Sequence, residues 1–176
     1  MLVIFKRTGA RRYAVVVEAP GQAAQTMSPA PGFDEHIPHD LVHCVVEAEL
    51  GLEAGVFGRA GRGGGTFYAA EAMRHPRAEA RRRRKQARRE QSLSRAPANE
   101  RQMQDSERLA LLSDIAWRRR HGQRPDPSYV KPTSPGAVDA ARVERIVARL
   151  DQLAPMWNRL PVGGELALTW PGLSVR

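Results

Sequence analysis

The chain of 176 residues has one cysteine, three lysines and no long apolar run. Its single cysteine, Cys44, excludes an intramolecular disulfide framework. The N-terminus has four apolar residues between Met1 and Lys6, too few for the core of a signal peptide, and no segment approaches the length of a transmembrane helix. We therefore expect a cytoplasmic protein without a membrane partner.

The net charge of +9 is concentrated in one short segment. Residues 74–95 carry ten Lys/Arg and two Asp/Glu, whereas residues 1–73 carry six and eight. Seven of these cations lie between positions 81 and 89, which is enough to bind phosphate backbones by counterion release. They are Arg81, Arg82, Arg83, Arg84, Lys85, Arg88 and Arg89. Aromatic residues that could stack on bases are absent there, so residues 77–89 predict non-specific nucleic-acid binding, with a solvated charge run as the alternative.

Both ends of the chain predict β-strands. Two β-branched runs over residues 2–6 and 12–18, joined by a short loop, indicate an N-terminal hairpin. Near the C-terminus, Leu166, Leu168 and Trp170 alternate with other residues, as in a strand with one buried face. This strand has no partner close in sequence, so we expect it to pair with the hairpin.

The residues between these strands predict the helices and loops. Residues 54–66 are a Gly-rich loop, and residues 76–98 are a basic segment that forms an exposed helix or is flexible. Apolar spacing and terminal Pro or Gly residues predict helices over 38–50, about 100–121 and about 137–154. We expect a single α+β domain over residues 1–176, in which a small antiparallel sheet is packed by about three helices.

Residues 36–47 contain three of the five histidines. On a helix, His39 and His43 lie one turn apart on the same face, a spacing that lets two imidazoles bind one divalent ion. Glu47 follows His43 by one turn and is expected to accept a hydrogen bond from its ring, which would orient that ligand. A metal also needs a third ligand. The candidates are His36 or Asp34, nearest in sequence, and His75 or His121 elsewhere in the fold.

The segment His39-Asp40-Leu41-Val42-His43 is similar to the His-Glu-x-x-His helix of zinc metallopeptidases. This resemblance implies Zn or another divalent metal on the two histidines, with Asp40 as the acid that polarises a bound water. Asp40 is one methylene shorter than the family's glutamate, which argues against standard peptidase activity. Over residues 27–47 and 160–170 the chain also resembles small uncharacterised bacterial proteins, which imply no mechanism.

The sequence thus supports two functional hypotheses. The first is a metal-dependent hydrolase with its site on the helix over 38–50. The second is a non-enzymatic protein that binds nucleic-acid backbones. A third interpretation, without a ligand, is that His39 and His43 are hydrogen-bonded residues at the edge of the core, held by Glu47 and Asp40.

We expect the protein to bind random duplex DNA and RNA at low salt, because the cations of residues 81–89 release counterions from the phosphates. If all seven contact phosphates, raising the salt from about 50 to about 200 mM weakens binding on the order of 10³-fold. Fluorescence anisotropy measures this, with a variant that has the seven cations changed to Gln as the control. An affinity that responds neither to salt nor to neutralisation contradicts the hypothesis.

Overall fold

The structure is a computed structural model that describes residues 1–69, 81, 84, 88, 97–125 and 139–176. The strands are β1 (Leu2–Gly9), β2 (Arg12–Glu18), β3 (Gln25–Met27), β4 (Tyr68–Ala69), β5 (Glu165–Thr169) and β6 (Ser174–Val175). The helices whose bounds lie within the described residues are α1 (His39–Leu50), α2 (Val56–Ala60), α3 (Pro97–Arg120) and α4 (Ala140–Asn158). The predicted α+β class is confirmed. Most of the predicted basic segment over 76–98 lies outside the described residues.

The six strands form one antiparallel sheet in the order β4-β3-β2-β1-β5-β6. The N-terminal hairpin pairs β1 with β2, and the C-terminal strand β5 lies on the other side of β1, where Val3 is opposite Leu168 and Phe5 is opposite Leu166. The predicted pairing of the two ends of the chain is therefore confirmed. Because β1 is central, both termini contribute to the middle of the sheet.

The helices cover one face of the sheet. Tyr13, Val15 and Val17 alternate along β2 and are fully buried on this face. Aromatic contacts join the layers: the ring of Tyr13 meets that of Trp157 edge-on at 5.9 Å, and Phe5 lies 6.2 Å from Phe57 of α2. The apolar residues of sheet and helices thus form one continuous core.

Helix α1 lies within this core and contacts both α3 and α4. Residues 40–47 are all buried, which includes two acids and one histidine. Pro38, in an extended conformation, precedes the first turn, and Gly51 ends the helix in the left-handed conformation that glycine adopts without strain. The helix predicted over 38–50 is confirmed. None of the described helices combines the length and the apolar character needed to cross a membrane.

The loop before α1 is attached to α3 through an ion pair. Asp34 Oδ1 accepts hydrogen bonds from the backbone N–H groups of His36 and Ile37, at 2.8 and 3.1 Å. Its other oxygen lies 3.1 Å from Nη2 of Arg118, and Nε of the same guanidinium group donates to Asp114 at 2.7 Å. The start of α1 therefore has a fixed position on α3.

The predicted Gly-rich loop at 54–66 contains the short helix α2. The carboxylate of Glu47 accepts the backbone N–H groups of Val56 and Phe57 at 2.7 and 2.9 Å, and that of Gly58 at 3.4 Å. These are the unpaired donors of the first helical turn, which a carboxylate stabilises. A tertiary contact from α1 thus stabilises the first turn of a helix within a glycine-rich segment.

We expect Gly55→Ala to destabilise the protein, because a Cβ at this position overlaps the carboxylate of Glu47. Overpacking of this kind costs about 1–3 kcal/mol. Urea denaturation measures the free energy of unfolding. Gly172→Ala is the matched control, since its Cβ meets nothing closer than 4.0 Å, and a change below about 0.5 kcal/mol is expected there. Equal effects of the two substitutions contradict the proposed steric conflict.

Candidate metal centre

The predicted histidine pair lies on one face of α1. Nε2 of His39 and Nε2 of His43 are 3.0 Å apart, and the two rings meet edge-on with their centroids at 4.6 Å. Two nitrogen ligands about 2.1 Å from one ion are separated by about 3.0 Å around an octahedral ion and by about 3.4 Å around a tetrahedral one. The pair therefore has the spacing of two neighbouring ligands.

A carboxylate from α3 completes a cluster of three groups. Glu107 Oε2 lies 3.7 Å from His43 Nε2, and ligand atoms of His39, His43 and Glu107 all lie within 4.8 Å of one another. His43 exposes 5% of its side chain and Glu107 exposes 67%, so the cluster lies where the core meets solvent. Glu107 was not among the ligands predicted from the sequence. Nothing in its local pattern distinguishes it from the other acids on the polar surface of α3.

The third ligands that the sequence suggested do not join this cluster among the described residues. His36 lies beside Glu35 at 3.5 Å, Asp34 binds Arg118, and His121 contacts Asp151 at 2.7 Å. His75 lies outside the described residues. Each described candidate has another partner because the loop before α1 and the end of α3 are held by their own ion pairs.

Glu47 was predicted to accept a hydrogen bond from the ring of His43, but the two groups are not bonded directly. The hydroxyl of Ser106 lies between them, 3.1 Å from His43 Nδ1 and 3.2 Å from Glu47 Oε1. Burial raises the pKa of Glu47, against the opposing effect of hydrogen bonds from the backbone of Phe57, Val56 and Gly58 and from Ser106. The carboxylate is turned to these donors because an ionised group inside a core needs hydrogen bonds on both oxygens.

Asp40 is also buried, and its carboxylate is turned to the sheet. The hydroxyl of Tyr13 lies 2.5 Å from Asp40 Oδ2 and also contacts the carbonyl oxygen of Pro31. Burial raises the pKa of Asp40, while the Tyr13 hydrogen bond and the charge of His39 lower it to a smaller extent. Asp40 thus attaches α1 to β2.

Burial determines the protonation of His43. It lowers the pKa of this imidazole to about 3, and the nearby charge of His39 acts in the same direction. At neutral pH the ring is therefore uncharged, which is the form that binds metals.

Three residues of the basic segment belong to the described part. Arg81, Arg84 and Arg88 are each helical and exposed. Arg82, Arg83, Lys85 and Arg89 lie outside the described residues. Binding of nucleic acid by residues 77–89 therefore stays a prediction.

Comparisons with known proteins identified no relative of this chain. No protein-family model, curated protein or solved structure matches this chain. The interpretation of the site therefore rests on its own geometry, and the similarity of residues 39–43 to zinc metallopeptidases stays a hypothesis.

We expect the metal-free protein to lose stability as the pH falls from about 6.5 towards 4. Below the ordinary pKa of about 6.5, the unfolded chain binds a proton at His43, whereas the folded protein does so only near pH 3. This contribution to stability is complete above pH 6.5 and falls by up to about 1.4 kcal/mol per pH unit below it. Urea denaturation in chelator between pH 7 and 4 measures the slope.

The control for this experiment is His43→Asn, which keeps a donor near Ser106 and removes the titrating ring. Asp40 and Glu47, whose raised pKa values act with the opposite sign, are present in both proteins. The difference between the two slopes therefore reports His43. Parallel slopes would mean that burial does not keep this ring neutral.

Proposed function

We propose that the protein binds a divalent transition-metal ion through His39, His43 and Glu107, and that the ion serves a hydrolytic reaction. The observation that carries the proposal is the convergence of three ligand atoms, from α1 and α3, within 4.8 Å. Two imidazoles and one carboxylate form a ligand set of catalytic zinc sites and also suit iron or manganese.

The exposure of the three groups supports a catalytic site more than a structural one. Structural zinc sites are closed by four protein ligands, whereas catalytic sites keep a position open for water or substrate. Here His43 is buried, His39 is half-buried and Glu107 is exposed. The cluster thus has a buried side within the core and an open side towards solvent.

A divalent ion with an open position lowers the pKa of a coordinated water and polarises a carbonyl or phosphoryl oxygen. The zinc-peptidase resemblance gives Asp40 the role of activating that water. Its burial and its hydrogen bond with Tyr13 favour a different role, the attachment of α1 to the sheet. We therefore place no acid–base step on Asp40, and the activation of water would come from the bound ion.

The second candidate function is non-enzymatic binding of nucleic-acid phosphates. The observation in its favour is that Arg81, Arg84 and Arg88 are exposed, at helical spacings of three and four that place them on one face. A row of guanidinium groups of this kind can follow a phosphate backbone without reading its bases.

We expect the tag-free protein to bind one equivalent of Zn²⁺ per chain, measured by isothermal titration calorimetry and by metal analysis after dialysis. His39→Ala should abolish binding, because one imidazole and one carboxylate are too few ligands. Glu107→Gln should weaken binding by at least about tenfold, because it replaces an anionic ligand with a neutral amide.

The matched control is Asp105→Asn, which removes the same charge from an exposed position two residues earlier on α3. It should bind like the wild type. If the wild type shows no saturable binding, or if His39→Ala and Glu107→Gln bind as tightly as Asp105→Asn, the proposal is wrong.

A further inference from the structure

We propose that Ser106 is a positioning residue of this metal centre, which holds the His43 ring in the tautomer with its proton on Nδ1 and so leaves Nε2 free to bind the ion. The inference deepens the proposed function and rests on it for the role of the ion. The tautomer itself follows from contacts within the metal-free protein.

The hydrogen bond between Ser106 and Glu47 has a defined direction. An ionised carboxylate has about four acceptor positions, two on each oxygen. Val56 N–H and the Ser106 hydroxyl approach Oε1, and the N–H groups of Phe57 and Gly58 approach Oε2. Three of these four groups can only donate. Each acceptor position of the carboxylate therefore faces a donor, and the Ser106 hydroxyl donates its proton to Glu47.

The hydrogen bond between Ser106 and His43 then has a defined direction as well. A serine hydroxyl has one proton, and Ser106 has given it to Glu47. Its oxygen can therefore only accept from His43 Nδ1, which lies 3.1 Å away. The proton of the neutral ring is then on Nδ1, so Nε2 accepts the hydrogen bond from His39 Nε2 at 3.0 Å and lies 3.7 Å from Glu107 Oε2.

Water does not compete for these hydrogen bonds, because the three side chains are buried. Ser106 is 3% exposed, His43 is 4% exposed and Glu47 is fully buried. The opposite tautomer would set the N–H of His43 towards the cluster and leave a buried acceptor against the Ser106 oxygen, which is unfavourable where water cannot compensate. Metal-bound histidines commonly donate their second N–H to a carboxylate, and here a serine hydroxyl transmits that interaction from Glu47.

The experiment reads the tautomer directly in the ¹⁵N-labelled, metal-free protein at pH 7. Long-range ¹H–¹⁵N correlation spectra distinguish a protonated ring nitrogen from an unprotonated one. We expect His43 to show protonated Nδ1 and unprotonated Nε2. In Ser106→Ala this preference should be lost and Zn²⁺ affinity should fall by about tenfold or more. Ser106→Thr, which restores the hydroxyl, should recover both.

The matched control is Ser113→Ala, a substitution at another fully buried serine of α3. It should leave the tautomer and the Zn²⁺ affinity unchanged, which separates the proposed role from a general effect of losing a buried hydroxyl.

The two proposals fail in different ways. A wild-type ring with its proton on Nε2 overturns the role of Ser106, whether or not Ser106→Ala folds and whether or not metal binds. The same conclusion follows if Ser106→Ala keeps the wild-type tautomer and affinity. A ring protonated on Nδ1 in a protein that binds no metal supports the positioning and refutes the metal site instead.

Discussion

The arrangement of the helices depends on the hydrogen bonds that the buried carboxylate of Glu47 accepts. The side chain is fully buried, and its two oxygens are satisfied only because α2 presents backbone N–H groups and α3 presents Ser106. An ionised group in a core without such donors would be strongly destabilising. The positions of α1, α2 and α3 are therefore constrained together, and Gly55 provides the space in which the carboxylate meets the first turn of α2.

The two buried acids of α1 together fix how the helix is rotated. Asp40, near its beginning, is hydrogen-bonded to Tyr13 of the sheet, and Glu47, near its end, is bonded to α2 and α3. Because both acids are fixed by these hydrogen bonds, the rotation of the helix about its axis is fixed as well. That orientation directs His39 and His43 towards α3, where Glu107 lies. The geometry of the candidate metal centre is thus a consequence of how α1 is anchored.

Helix α3 combines several of these roles. It contributes Ser106 and Glu107 as consecutive residues, one to the buried network and one to the exposed side of the cluster. Further along, Arg118 holds the loop before α1 through Asp34, and Arg120 bonds to α4 through acidic partners. A displacement of α3 would therefore change the ligand set, the orientation of His43 and the start of α1 at once.

The sequence by itself determined the α+β class, the hairpin, the pairing of the C-terminal strand and helix α1, because periodicity and terminal Pro and Gly residues are properties of neighbouring positions. It also determined the His39–His43 pair, since helical geometry fixes residues four apart. Only the tertiary structure decided that Glu107 and Ser106 join this pair and that Glu47 binds α2. The reason is physical: a polar residue on a helix surface carries no local mark of its partner, and the packing of α3 against α1 selects which residues meet.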